Sequence, residues 1–240
     1  MHMNNESLIK NAKEDAKELC LFQFLHLIKL GFIFNHCMAF KVEMKESKYN
    51  LKAYIEEDQE GVYELVIDED SAPLFKKQTF NELYIISGVS IFEKCCKDWF
   101  KWGLKYNPKR IKFFNKKIEI REIIESNDPN EIFIKKITDN INFQNVQISS
   151  EYFKNVFGLN IFESREEKYS MQKYIDHRHI ISHNCGFADF NYVKKTGITE
   201  EHIGNVMALT DKDLEEFNNL IYNFITKIIL NFPPIIYDKI

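Results

Sequence analysis

The chain has 240 residues, 45% of them hydrophobic, and a formal net charge of −4. This length suffices for one large domain, or for one domain with an extension, and the apolar fraction can fill a sizeable core. The negative net charge excludes a global attraction to nucleic acid or to acidic membranes, so such binding needs a local basic patch. With only 8 glycines and 5 prolines, long regular elements are favoured over a turn-rich β protein.

The N-terminal part of the chain predicts no targeting or membrane segment. Five polar or charged side chains interrupt the most apolar run, residues 19–40: Gln23, His26, Lys29, Asn35 and His36. A spanning helix requires about 20 nearly uncharged residues, so a packed, partly amphipathic helix is favoured over membrane insertion. The five cysteines show no paired spacing, which is typical of a reducing, cytoplasmic protein.

The first 75 residues carry mixed signals. Residues 6–30 predict a helix that ends at Gly31. Residues 38–57 fit either a strand or a helix, and residues 62–67 fit a short strand. We therefore expect an N-terminal extension of α or α+β structure.

A break at Ser71-Ala-Pro73 marks the predicted domain boundary. It separates the extension, residues 1–75, from a helical domain at residues 76–232. Residues 233–240 are expected to form a C-terminal tail.

The helical domain is predicted to open with a long helix from Asn81. Its apolar stripe covers about five turns: Leu83, Ile86, Val89, Phe92 (or Ile91), Cys96 and Trp99 or Phe100. Gly103 and Asn107-Pro108 are expected to close it. Shorter helices are predicted at three places: residues 118–126, 130–140 and 150–157.

A second clear helix covers residues 165–183. Ser164 with Glu167 forms a capping box that starts it. After its end, the pattern predicts a short helix at residues 187–195 and a short strand at residues 206–209.

The last helix opens at Thr210, which forms a second capping box with Asp213. Its apolar residues keep a period of 3.6 until Pro233-Pro234 is expected to end it. The whole pattern predicts a mainly α fold, an antiparallel bundle of helices.

Four ionisable side chains follow one another at residues 176–179 (Asp-His-Arg-His), and His183 comes shortly after. On a helical wheel, Arg178 falls within the apolar arc. An arginine in a packed face is costly unless a carboxylate holds it or it lines a cleft. Arg178 is therefore either a structural arginine beside a wet helix end or part of a site.

The segment Arg178-His-Ile-Ile-Ser-His183 resembles the motif of the HEPN superfamily: an arginine, a polar residue, three residues and a histidine. The following His183-Asn-Cys-Gly-Phe-Ala-Asp189 is similar to the turn after this motif in HEPN proteins of the bacterial defence and toxin type. The similarity covers roughly residues 78–232 and none of the first 75.

This resemblance implies a helical bundle with a metal-independent endoribonuclease site and no cofactor. It gives His183 a role in proton transfer and makes Arg178 the residue that holds the phosphate, with 2′,3′-cyclic phosphate and 5′-hydroxyl products. His179 and Asn184 are supporting candidates. Because Cys185 stands where some HEPN toxins carry an adenylylated tyrosine, that mode of silencing is not expected.

The resemblance also implies partners. On an undistorted helix Arg178 and His183 point about 140° apart, so a homodimer with a composite active site at its interface is expected. RNA is the expected substrate. A toxin or an abortive-infection effector against phage, with an antitoxin or sensor partner, is the expected biological role.

A concentrated basic stretch occupies residues 94–117, with interleaved aromatic residues. Four lysines on one helix face are the predicted RNA-binding set: Lys94, Lys97, Lys101 and Lys105. A solvated helix face with its aromatics in the core is the alternative. Glu93, just before this stretch, is a candidate acid to hold Arg178.

Two other functions are consistent with the same residues. His179 and His183 are four residues apart and Cys185 is near, a spacing that zinc can use. Arg178 would place a cation among those ligands, so we expect no metal. The second alternative is a catalytically silent HEPN-like module that dimerises or binds RNA.

Overall fold

The computed structural model describes residues 5–39, 53–57, 63–67, 72–114 and 128–238. Over these residues the chain is mainly helical, so the prediction of a mainly α helical bundle is confirmed. The helices are α1 (Asn5–Ala39), α2 (Ala72–Tyr106), α3 (Pro129–Asp139), α4 (Val146–Tyr152), α5 (Arg165–Asn184), α6 (Phe190–Thr196) and α7 (Asp211–Tyr237). Strands β1 (Ala53–Glu57) and β2 (Tyr63–Ile67) form an antiparallel pair with Ile55 opposite Leu65.

The chain divides into two compact units that interleave along the sequence. The first unit contains Met1–Ile28, Gly88–Ile175 and Phe217–Ile240, and the second contains Lys29–Ser87 and Asp176–Glu216. The predicted domain boundaries, at residues 75 and 232, stay a prediction.

Both long N-terminal helices extend beyond their predicted limits. α1 continues through Gly31 to Ala39, so the expected end at Gly31 is wrong. Gly31 is not among the glycines with positive φ, so it has no left-handed cap conformation, and a Cβ there would meet nothing within 4 Å. α2 begins at Ala72, before the predicted Asn81, and ends at Tyr106, as Asn107-Pro108 predicted.

The short elements agree in part with their predictions. β2 confirms the predicted strand at residues 62–67, and β1 decides for a strand in the last part of residues 38–57. α3 confirms the helix at residues 130–140. The predicted helix at residues 118–126 lies outside the described residues.

Two predicted short elements need correction. The helix expected at residues 150–157 begins earlier, because Asn145 caps α4 by accepting from the Ile148 amide, and it closes with a π-helical turn, Phe153–Phe157. The strand expected at residues 206–209 is reduced to a single bridge between Phe187 and Val206.

The two consecutive prolines do not end α7, which continues to Tyr237 with both inside it. Each internal proline costs about 3 kcal/mol. Phe232 and Ile236, on either side of them, are fully buried, so apolar burial of the last turns offsets this cost. Residues 233–237 therefore belong to the helix, and the expected helix end at Pro233-Pro234 is wrong.

The core of the first unit is unusually aromatic. The ring of Phe100 contacts Phe153 and Phe157, and Phe232 packs against Phe157 with ring centroids 4.8 Å apart. Gly103 on α2 permits this approach, since a Cβ there would lie 2.6 Å from the Phe232 ring and 2.8 Å from the Phe157 ring. The close packing of these rings therefore depends on the absence of a side chain at Gly103.

Two thiols lie in the same core. Cys95 and Cys96 are fully buried, and burial raises the pKa of both well above its ordinary value. No cysteine among the described residues forms a disulfide.

The second unit is held by polar side chains of α2. Lys77 is buried, donates to the Cys37 carbonyl and pairs with Asp211 at 2.7 Å. Asn81 donates to the Leu209 carbonyl at 2.9 Å, and Gln78 accepts from the Leu209 amide at 3.1 Å. α2 thus fixes the segment that leads into α7.

One face of α1 is apolar and exposed. Its members are exposed by 40% to 74%: Leu21, Phe22, Phe24, Leu25, Ile28 and Phe32. By length and hydropathy alone, Asn5–Asn35 and Asp211–Tyr237 would be able to span a membrane. Core helices and signal sequences share these properties, so the cytoplasmic location and the absence of membrane association stay predictions.

We expect Gly103→Ala to lower the free energy of unfolding by about 1–3 kcal/mol, because the new methyl group overpacks against two buried rings. Gly31→Ala is the matched control within a helix. With open space at that position, alanine should raise the same free energy by about 0.5–1 kcal/mol. Urea titration of both variants measures the difference, and a Gly103→Ala variant as stable as the wild type would contradict the close approach.

Candidate functional site

The motif helix α5 begins with the predicted capping box. The Glu167 amide donates to Ser164 Oγ at 3.0 Å, and Glu167 Oε2 accepts from the Glu163 amide at 2.7 Å. The return bond reaches Glu163 rather than Ser164, but both bonds satisfy amides at the start of the helix.

The end of α5 is a sharp left-handed turn. Asn184 is the last helical residue, and Cys185 and Gly186 follow with φ of 52° and 82°. The Gly186 amide donates to the Ile180 carbonyl at 3.1 Å. A Cβ on Gly186 would lie 3.2 Å from Glu82 Oε1. Glycine is therefore favoured both by the positive φ and by the limited space for a side chain.

A short two-stranded contact holds this turn. The Met207 amide donates to the Gly186 carbonyl at 2.9 Å, and Ala188 exchanges bonds with Asn205 and Gly204 at 2.9 and 2.8 Å. Two residues after Met207, the backbone of Leu209 is bound by Gln78 and Asn81 of α2. The position of the motif helix end therefore follows from backbone pairing and not from the motif residues themselves.

Arg178 lies half-buried on α5. Its Nε is buried without a hydrogen-bond partner, and the guanidinium forms no ion pair with any described carboxylate. The structural alternative, an arginine held by an acid, finds no support in the described part of the chain. The suggested role of Glu93 as its holder stays a prediction.

His179 and His183 come together at the end of α5. Their ring centroids are 4.6 Å apart, with a 48° angle between the planes, and both residues are exposed. Because α5 stays helical to Asn184, the approximately 140° divergence between Arg178 and His183 applies. Within one chain the histidines are brought to each other rather than to the arginine.

Asn184 has the contacts of a turn residue. Its Nδ2 donates to the Phe187 carbonyl and to Asp189 Oδ2, both at 3.4 Å. Asp189 in turn caps α6 by accepting from the Tyr192 amide at 2.7 Å. The predicted supporting role of Asn184 is thus joined by a visible structural one.

Sequence reasoning missed a small polar cavity beside the histidine pair. Its volume is about 260 Å³, and besides Ile180 it is lined by six polar residues: Asp176, His179, Asp189, Asn191, Tyr192 and Lys195. The Tyr192 hydroxyl lies 3.0 Å from Nδ1 of the buried His177, a contact between α6 and α5. Asp176 and His179 are three residues apart, which signalled a shared face, but the contribution of α6 depends on the turn.

The predicted RNA-binding lysines are largely paired. Ion pairs engage three of the four: Lys94 with Asp98 at 2.9 Å, Lys97 with Asp139 at 2.5 Å, and Lys105 with Asp15 at 2.6 Å. The hydrogen bond from Lys97 lowers the pKa of the Asp139 carboxyl. Lys101 has no ion pair among the described residues. These pairs are at least partly exposed, and such pairs contribute little to stability, so a polyanion can displace them.

Over the described ranges, no group of three or more histidine, cysteine, aspartate or glutamate side chains is arranged to hold a metal ion. Cys185 is exposed at the turn.

Neither protein-family models, nor curated proteins, nor solved structures give a match to this chain. The HEPN resemblance stays a prediction that depends on the motif and the turn after it.

We expect Glu82→Gln to stabilise the protein at neutral pH. Burial raises the pKa of the Glu82 carboxyl, partly offset by the hydrogen bond from Gln78. A raised carboxyl pKa contributes stability below the ordinary value of 4.5, and this contribution is lost as the pH rises through the folded pKa. At neutral pH the wild type therefore carries a charged, half-buried carboxylate that glutamine replaces without charge.

Thermal unfolding at neutral pH and below pH 4.5 checks this expectation. The gain should appear only at neutral pH. Glu151→Gln is the matched control, because Glu151 also accepts from a glutamine four residues earlier, Gln147, but is exposed. An equal gain at both pH values would contradict the burial argument.

Proposed function

We propose that this protein is a metal-independent endoribonuclease of HEPN type that works as a homodimer. The observation that carries the proposal is a guanidinium without a carboxylate partner among the described residues, Arg178, on the helix whose last turn exposes two touching imidazoles, His179 and His183. A toxin or an effector of abortive infection against phage is the proposed biological role.

The chemistry needs two proton transfers and one site for negative charge. The RNA 2′-oxygen attacks phosphorus as a base takes its proton; the bond from phosphorus to the 5′-oxygen breaks, and an acid protonates that oxygen. The products are a 2′,3′-cyclic phosphate and a 5′-hydroxyl. Imidazole suits either proton transfer, and His183 is the residue to which the proposal assigns proton transfer. Arg178 can hold the phosphate oxygens through two parallel hydrogen bonds.

The geometry supports the contribution of a second copy. In an in-line displacement the attacking and leaving oxygens lie on opposite sides of phosphorus. The ring centroids of His179 and His183 are only 4.6 Å apart. A phosphate bound at this pair would therefore have both imidazoles on the same side of phosphorus. A two-fold pairing of α5 helices supplies a second imidazole pair and a second Arg178.

Purified protein should cleave RNA in the presence of EDTA, and Arg178→Ala and His183→Ala should each lower the rate by about 10²–10⁴-fold, the typical effect of a positioned acid–base or oxyanion-binding group. End-group analysis of the fragments should show the cyclic phosphate and the 5′-hydroxyl. His202→Ala is the control, since His202 is an exposed histidine outside the site.

Three outcomes would overturn this assignment. Activity that depends on added zinc would favour the metal site. RNA binding without cleavage by the wild type would favour the silent module. Cleavage that survives both substitutions would place the reaction elsewhere.

Among the basic residues of α2, Lys101 should contribute most to RNA binding. Because Lys101 forms no ion pair among the described residues, Lys101→Ala should lower the magnitude of the slope of log affinity against log salt by about 1. Lys97→Ala should have a smaller effect, because Lys97 is already engaged by Asp139. Asp139→Asn should strengthen binding. Fluorescence anisotropy with a 2′-O-methyl RNA, which cannot be cleaved, measures all three, and equal effects at Lys97 and Lys101 would contradict the ranking.

A further inference from the structure

The cavity between α5 and α6, in the second unit, is lined mostly by polar side chains. Its volume of about 260 Å³ is below the approximately 300–1,000 Å³ of pockets for drug-sized ligands, so it fits a single planar ring system rather than a whole nucleotide. His179 lines it, and the His179 ring contacts the His183 ring. The cavity is therefore adjacent to the proposed proton-transfer residue.

Asp176 contributes a largely buried carboxylate to this cavity. The side chain is only 11% exposed, and its sole ion pair among the described residues is with Lys195, at 3.4 Å. Lys195 is 61% exposed, so it approaches from the solvent side. A buried carboxylate with one long partner keeps most of its capacity to accept hydrogen bonds.

We propose that this cavity binds a guanine base of the RNA, next to the scissile phosphate; its role in catalysis rests on the proposed ribonuclease function. Guanine carries two adjacent donors on its Watson–Crick edge, the N1–H and the 2-amino group, which match the two oxygens of a carboxylate. Its O6 acceptor, beside N1, lies within reach of the Lys195 ammonium. Protein side chains read unstacked RNA bases through such edges.

The other bases fit this arrangement poorly. Adenine and cytosine present one amino donor beside a ring-nitrogen acceptor, and uracil presents one N–H between two carbonyls. Each would place an acceptor against the Asp176 carboxylate, and an unmatched buried polar group carries a large penalty. Asp176 is thus a specificity-determining residue, while proton transfer stays with His183.

Isothermal titration with nucleoside 3′-monophosphates tests the proposal directly and needs no cleavage. Guanosine 3′-monophosphate should bind roughly tenfold or more tightly than its adenosine, cytidine and uridine counterparts. Inosine 3′-monophosphate, which lacks only the 2-amino group, should bind more weakly than guanosine. In Asp176→Asn this difference between guanosine and inosine should disappear, while thermal unfolding reports whether the variant is folded.

Several results would overturn the guanine site. They are equal affinity for the four nucleotides, equal affinity of the wild type for guanosine and inosine, and an Asp176→Asn variant that keeps the wild-type ratio. The guanosine-to-inosine ratio of the wild type alone decides the matter if the variant does not fold.

Cleavage separates this proposal from the ribonuclease proposal. Selective guanosine binding without RNA cleavage would retain the base site and remove the nuclease. Cleavage with equal affinity for all nucleotides, and without preference for guanine at the cut, would retain the nuclease and remove the base site.

Discussion

The second unit depends on the capture of one backbone position, Leu209. Side chains from α2 bind both its amide and its carbonyl, Gln78 as acceptor and Asn81 as donor. A buried backbone group requires such partners, and here amide side chains replace the neighbouring strand of a sheet. Since the residues just before Leu209 pair with the turn at Gly186, this capture determines where α5 ends and where its exposed histidines lie.

The basic groups differ in how their charge is compensated, and in the proposed function this difference separates RNA binding from catalysis. Three lysines of α2 are paired with acids, which weaken the local positive potential until a polyanion displaces those acids. Arg178 has no described carboxylate within ion-pair distance and is half-buried, where an uncompensated charge is costly. In the proposed function, the RNA phosphate is the anion that would offset this cost.

Capping signals in the sequence were reliable, whereas helix-breaking residues were not. The capping boxes at Ser164 and Thr210 involve neighbours in sequence, and both form. Pro233-Pro234 and Gly31 are usual helix ends, yet α7 and α1 continue through them because burial or a continuous helix outweighs a residue's preference. The cavity at Asp176 could not be predicted, since it requires the backbone turn that returns α6 to α5.

The cysteines of this chain differ in their accessibility to alkylating reagents. The buried thiols of Cys95 and Cys96, with their raised pKa, are shielded from alkylating reagents as long as the aromatic core stays closed. Cys185, exposed on the turn after α5, is open to the same reagents at once. Mass spectrometry of a timed alkylation thus separates the reaction of Cys185 at the motif turn from that of Cys95 and Cys96, which requires the core of the first unit to open.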